Sequence, residues 1–210
     1  MAWDPEESWR LFFAVKVPEA IVAEVAALQE RLQASGVKVK WVEPYNLHFT
    51  LKFLGATPAP MARDLKAVGE RLARECEPFA VQLQGVGAFP KASHPQTVWV
   101  GVGQGQEQLG KLARKLHHAL EDEALLLEAN GKPFVPHCTI GRVKQERGLG
   151  LLSEALVREE EFASQSFWCE AFGLYRSDLK AEGPVYTEVG LFQARRNGNG
   201  DGTGNARQQE

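Results

Sequence analysis

The tetrapeptide His48-Phe49-Thr50-Leu51 returns later in the chain as His137-Cys138-Thr139-Ile140, and this return constrains the fold more than any other feature. Side chains alternate between the faces of an extended strand, so residues two apart share a face. Each tetrapeptide can therefore aim an imidazole and a hydroxyl at one spot while its apolar residues enter a core. Two such strands side by side make a small cavity lined by two imidazoles and two hydroxyls. Both copies lie shortly after a proline, Pro44 and Pro136, and both fall in strand-like segments.

That set of groups suits acid–base chemistry on a phosphate ester. An imidazole changes protonation near neutral pH. A neutral histidine can take a proton from an attacking water while a charged one gives a proton to the leaving oxygen. The hydroxyls can donate to non-bridging phosphate oxygens, where charge accumulates. A single His-x-Thr reads as a buried, hydrogen-bonded histidine; the second copy favours function. No metal is required. His-x-Thr is not a common ligand spacing, and no aspartate, glutamate or cysteine completes a set at either copy. Cys138 faces away from the cavity as a small buried hydrophobe.

Other candidates are weaker. Lys52 shares the alternation of His48 and Thr50, so it either adds charge to the cavity or sits beyond it. Arg142 faces away in a flat strand and reaches a phosphate only if the strand ends, twists or bulges near Gly141. His117 and His118 read as the solvated face of a helix, and His94 as part of a loop.

The formal net charge is −3, from 24 basic and 27 acidic residues. A protein that grips long nucleic acid through its backbone shows a basic excess, so a nucleic-acid substrate here is expected to be small or recognised at an end. Three cysteines without CxxC spacing argue for a reducing compartment. The N-terminus has no signal-peptide pattern, and no apolar run approaches the ~20 residues that span a bilayer. The expectation is a cytoplasmic protein with no membrane association.

Strands are expected over residues 10–17, 39–42, 47–54, 79–86, 97–102, 134–143, 167–175 and 185–192. Helices are expected over 18–35, 61–75 and 106–124, with a short one over 148–158 and a turn-rich loop over 89–95. Paired strands between helices favour an α+β fold with antiparallel sheets. The two motifs divide the elements into similar halves. The expected plan is an extension over residues 1–9, one bilobal domain over 10–192, and a disordered tail over 193–210. The tail is glycine-rich and almost without apolar residues.

With the surrounding blocks, the chain resembles the 2H phosphoesterase superfamily, and more closely its RNA 2′,3′-cyclic phosphodiesterases, also called 2′-5′ RNA ligases. The blocks are Arg10-Leu11-Phe12-Phe13-Ala14-Val15-Lys16-Val17-Pro18, Trp41 with Leu47 to Gly55, and Phe134 to Arg142. The resemblance implies a bilobal, pseudo-two-fold α+β fold, with two antiparallel sheets lining a central cleft and helices outside. It implies hydrolysis of an RNA-terminal 2′,3′-cyclic phosphate to a 2′-phosphomonoester without a metal. No cofactor is expected, and the protein is expected to act as a monomer. By motif, His48 is the proton donor and His137 the acceptor, and Thr50, Thr139 and Arg142 hold the phosphate. The near-symmetry of the motifs does not itself say which histidine gives the proton. Small cyclic phosphates, 2′-5′ linkages with reverse ligation, and nucleotide binding without turnover remain alternatives. Phe12, Phe13, Tyr45, Trp99, Phe134 and Tyr175 are candidates to stack on a base.

Overall fold

The computed structural model describes residues 7–126, 134–181 and 183–195. Among these residues ten strands and four α-helices follow one another in the order β1 (Ser8–Lys16), α1 (Glu19–Gln33), β2 (Val39–Trp41), β3 (His48–Pro58), α2 (Ala62–Arg74), β4 (Phe79–Val81), β5 (Leu83–Lys91), β6 (His94–Val102), α3 (Gln106–Asp122), β7 (His137–Val143), α4 (Leu149–Arg158), β8 (Phe167–Cys169), β9 (Ala171–Leu179) and β10 (Pro184–Gln193). None of these helices is long and apolar enough to cross a membrane.

The expected α+β architecture is present, and its two sheets are joined. Strands β10-β9-β1-β3 form one half and β7-β6-β5, with β2 alongside β7, form the other. The halves meet through a single registered pair, Phe49 opposite Cys138, on the two motif strands. Every pairing in the large sheet is antiparallel. Strands β4 and β8 make a separate two-stranded ribbon.

The helices cover one face and leave the other open. Helices α2 and α3 pack on the β10-β9-β1-β3 half, and α1 and α4 on the other. Helix α1 thus follows a strand of one half and covers the second half, which interlocks the lobes. A single apolar core lies beneath, containing Phe13, Phe49, Val100, Cys138, Ile140 and Leu174 with Leu28, Leu65, Leu116 and Leu152 from the four helices. A smaller cluster of Phe12, Ala14 and Tyr175 with Tyr186 lies apart from it.

Three local expectations change. The segment 89–95 is no loop: β5 runs through Pro90 to Lys91 and pairs back with His94 and Pro95 in a tight hairpin. Strand β5 is the sheet edge, where proline costs no ladder bond. The strands expected over 79–86 and 167–175 each break in two, because β4 and β8 leave the large sheet for each other. Gly55, expected to end its strand, adopts φ +68° inside β3 at an irregularity opposite Leu11. At the ends, Ala194 and Arg195 donate backbone hydrogen bonds to Glu170 and Cys76. The rest of the expected tail, from residue 196 on, lies outside the described residues, as does the N-terminal extension before residue 7.

Candidate active site

The Phe49–Cys138 pair decides the geometry. Both side chains are fully buried on the helix side. One step along the antiparallel register places His48 opposite Thr139 and Thr50 opposite His137. All four groups therefore face the open side, and all four are half-buried. Directly opposite Cβ atoms lie ~5 Å apart and diagonal ones ~7–8 Å. The histidines occupy one diagonal of this square and the threonines the other.

The two imidazoles are held alike. His48 Nδ1 lies 2.6 Å from the Asn46 carbonyl oxygen, and His137 Nδ1 lies 2.7 Å from that of Val135. A carbonyl only accepts, so Nδ1 carries the hydrogen in both rings and Nε2 is left for chemistry. His48 Nε2 is 3.0 Å from the Thr50 hydroxyl. Asn46 is itself buried, and its side-chain Nδ2 donates to the Pro184 carbonyl at 2.9 Å.

The surroundings break the symmetry. Burial lowers the His48 pKa from the ordinary histidine value; the Asn46 carbonyl opposes this, and the charges of His137 and Lys16 add to it. Phe12 tilts against the His48 ring at 5.1 Å and Tyr186 meets it edge-on at 5.3 Å. His137 has Phe89 edge-on at 5.0 Å and Trp99 at 6.4 Å.

A bulge follows each motif and decides what comes next on the open face. On β3, Ala14 pairs with Thr50 but Phe13 pairs with Lys52, so Leu51 is an extra residue. On β7, Trp99 pairs with Thr139 but Val98 pairs with Gly141, so Ile140 is extra. An extra residue inverts the alternation beyond it. Arg142 therefore emerges on the open face, where its charge acts on the Tyr186 phenol. Gly141 makes the close approach possible: a Cβ there would lie 2.7 Å from Val39 Cγ1 and 2.8 Å from the Trp41 ring.

The same inversion removes Lys52 from the cavity. Its side chain is buried, and Nζ lies 3.1 Å from His117 Nδ1 on α3. Burial lowers its pKa, against the pull of Glu121. His117, expected in solvent, is a partner of both Lys52 and Glu121. His94 pairs with Lys91 at the exposed β5–β6 hairpin. Burial pushes the Cys138 thiol up to about 12.

Among the stacking candidates, Phe13 and Tyr175 are buried, while Tyr45 is 68 % exposed. Phe53, 56 % exposed, and Phe89 line the open face, and no spacing in the sequence marks either of them. Phe53 occupies the place on β3 that Arg142 occupies on β7. A cavity of about 490 Å³ at the start of α3 touches the β7 entry only at Phe134 and Pro136 and contains none of these groups.

A family model for the 2′-5′ RNA ligase superfamily matches residues 11–181. The chain belongs to this superfamily. Curated members similar to it include the RNA 2′,3′-cyclic phosphodiesterase of Methanothermobacter thermautotrophicus, 34% identical over 88% of this chain and 98% of that protein. Another is the RNA 2′,3′-cyclic phosphodiesterase of Thermus thermophilus, 36% identical over 89% of this chain and 90% of that protein. A crystal structure of a Thermus thermophilus protein superposes with TM-score 0.75 at 33% identity, over 90% of this chain and 100% of that one. Escherichia coli LigT complexed with 3′-AMP superposes with TM-score 0.70 at 23% identity, over 91% of this chain and 100% of LigT, a likeness of fold.

Proposed function

We propose that the protein is an RNA 2′,3′-cyclic phosphodiesterase that opens a terminal cyclic phosphate to a 2′-phosphomonoester. The observation that carries the reading is the square of His48, Thr50, His137 and Thr139, with both Nδ1 atoms tied to backbone carbonyls two residues upstream. Family membership and relatives named for this activity support it.

In the proposed reaction His137 Nε2 takes a proton from water as its oxygen bonds to phosphorus. His48 Nε2 gives a proton to O3′ as the P–O3′ bond breaks, leaving the phosphate on O2′. The step ends with His137 charged and His48 neutral, and exchange with solvent resets both. Thr50, Thr139 and Arg142 donate to the phosphate oxygens; a forked guanidinium suits that task. A lowered His48 pKa makes it a ready donor once protonated, and an anionic phosphate beside it raises its pKa and restores the proton. The same square can act on a small cyclic phosphate. The substrate enters from aqueous solution, and we assign the work to a monomer in the cytoplasm.

The test is ring opening by His48→Ala and His137→Ala. Each is expected to lose about 10²–10⁴-fold in kcat, the range for a positioned acid or base, with an unchanged circular-dichroism spectrum. Full activity in either folded variant refutes the assignment.

A further inference from the structure

We propose that the RNA chain 5′ of the cyclic phosphate leaves the site across a basic strip, formed by Lys38, Lys40 and Lys144 beside Arg142 on the open face of β2 and β7. The proposal rests on the cyclic phosphodiesterase reading and gives its substrate a direction and a minimum length.

The register builds the strip. Lys40 stands directly opposite Arg142, and Val39 opposite Val143. The Lys144 amide donates to the Lys38 carbonyl at 2.8 Å, which carries the ladder one pair further. Opposite residues share a face, as do residues two apart. The four cations therefore lie on one side, all exposed, while Val39, Trp41 and Val143 pack on the core from the other.

That side is the side of the histidines. The bulge at Ile140 turns Arg142 onto it, and the Arg142 charge reaches Tyr186, which stands against His48. The Lys40 amine lies beside Gly183, in the turn that leads into β10.

The charge pattern points to an anionic partner. Like charges opposite one another on a sheet destabilise it. None of the four forms an ion pair with a described residue. The chain as a whole carries −3, so the strip is a local exception. The other exit from the square differs: Phe53 holds the place corresponding to Arg142, with its ring 5.7 Å from Phe12. A polyanion is favoured at the cationic exit and a base at the aromatic one. Two residues along a strand cover ~7 Å and neighbouring strands lie ~4.8 Å apart, so the strip reaches the one or two phosphates next to the terminal nucleotide. Such a short grip fits a chain without a basic excess.

The test compares a cyclic mononucleotide with a pentanucleotide ending in 2′,3′-cyclic phosphate, across a salt series. For the wild-type protein, log(kcat/KM) for the pentanucleotide is expected to fall more steeply with log[salt], by about 0.7 per phosphate contacted. The triple variant Lys38→Gln/Lys40→Gln/Lys144→Gln is expected to keep the mononucleotide rate and lose both the pentanucleotide advantage and the extra slope. Its melting temperature is expected to be no lower than wild type, because it relieves like-charge pairs. The proposal is overturned if the wild type shows no pentanucleotide advantage, if the variant retains it, or if both substrates lose rate equally. A wild type that hydrolyses neither substrate refutes the cyclic phosphodiesterase reading instead. Binding of the corresponding 2′-phosphorylated pentanucleotide and mononucleotide to the two proteins then decides the strip by the same comparison.

Discussion

Asn46→Ala separates the part of the site that positions His48 from the part that merely folds. Asn46 is 5 % exposed, and its Nδ2 donates to the Pro184 carbonyl while its own carbonyl receives the Nδ1 hydrogen of His48. Removing the amide leaves the Pro184 carbonyl without this donor, at a cost of about 1–3 kcal/mol. A domain of this size loses about 2–4 °C per kcal/mol, so the melting temperature should fall by about 2–12 °C. The backbone carbonyl survives the substitution but loses its anchor, and an ~1 Å misplacement of a reacting group costs about 10²-fold. The sign of the pH effect follows from the same bond. The Asn46 carbonyl raises the His48 pKa, so loosening it lowers that pKa further. A donor must be protonated, and its contribution is lost as pH rises through its pKa. The alkaline limb of kcat/KM, which reports the free enzyme, should therefore move to lower pH in the variant. The assays are thermal denaturation and steady-state hydrolysis of a cyclic mononucleotide over pH 5–9. A lower melting temperature with kcat and both limbs unchanged would show that Asn46 only supports the fold. Movement of the acid limb alone would exchange the roles of His48 and His137.

Three further outcomes follow from the geometry. Gly141→Ala places a methyl against Val39 and Trp41, and is expected to cost about 1–3 kcal/mol as overpacking and to raise KM by displacing Arg142; unchanged melting and KM would contradict the role given to the bulge. Lys52→Met is expected to keep activity within about two-fold, since Nζ faces His117 on α3, whereas a loss of tenfold or more would return Lys52 to the cavity. Ring opening is expected to proceed at full rate in excess EDTA; loss restored by a divalent ion would contradict two-histidine catalysis.

Strand alternation was enough to place His48, Thr50, His137 and Thr139 on one face and Phe49 and Cys138 in the core, because it holds over four residues. It failed at the next step for a single reason. The extra residues Leu51 and Ile140 invert the count, so plain alternation leaves Lys52 undecided between the cavity and the strand end and brings Arg142 to the phosphate only through a break in the strand. Gly141 was the visible hint on β7; β3 offers no matching glycine at Lys52. The walls of the site were less legible. Tyr186 reaches His48 from β10, and Phe89 reaches His137 from a hairpin whose prolines read as a loop. Both placements depend on long-range register, which a single sequence does not display. The exchange of helices between halves is hidden for the same reason, since α1 pairs with α4 across more than a hundred residues.

If the square of two histidines and two threonines breaks the P–O3′ bond of a cyclic phosphate, the position of the product phosphate reveals it. Phosphorus NMR of the product formed from an RNA ending in 2′,3′-cyclic phosphate tests this most directly. The expected result is a 2′-phosphomonoester as the sole product, formed about 10²–10⁴-fold more slowly when His48 or His137 is replaced by alanine. A 3′-phosphomonoester, or a 2′-phosphate formed equally well by both variants, would contradict it.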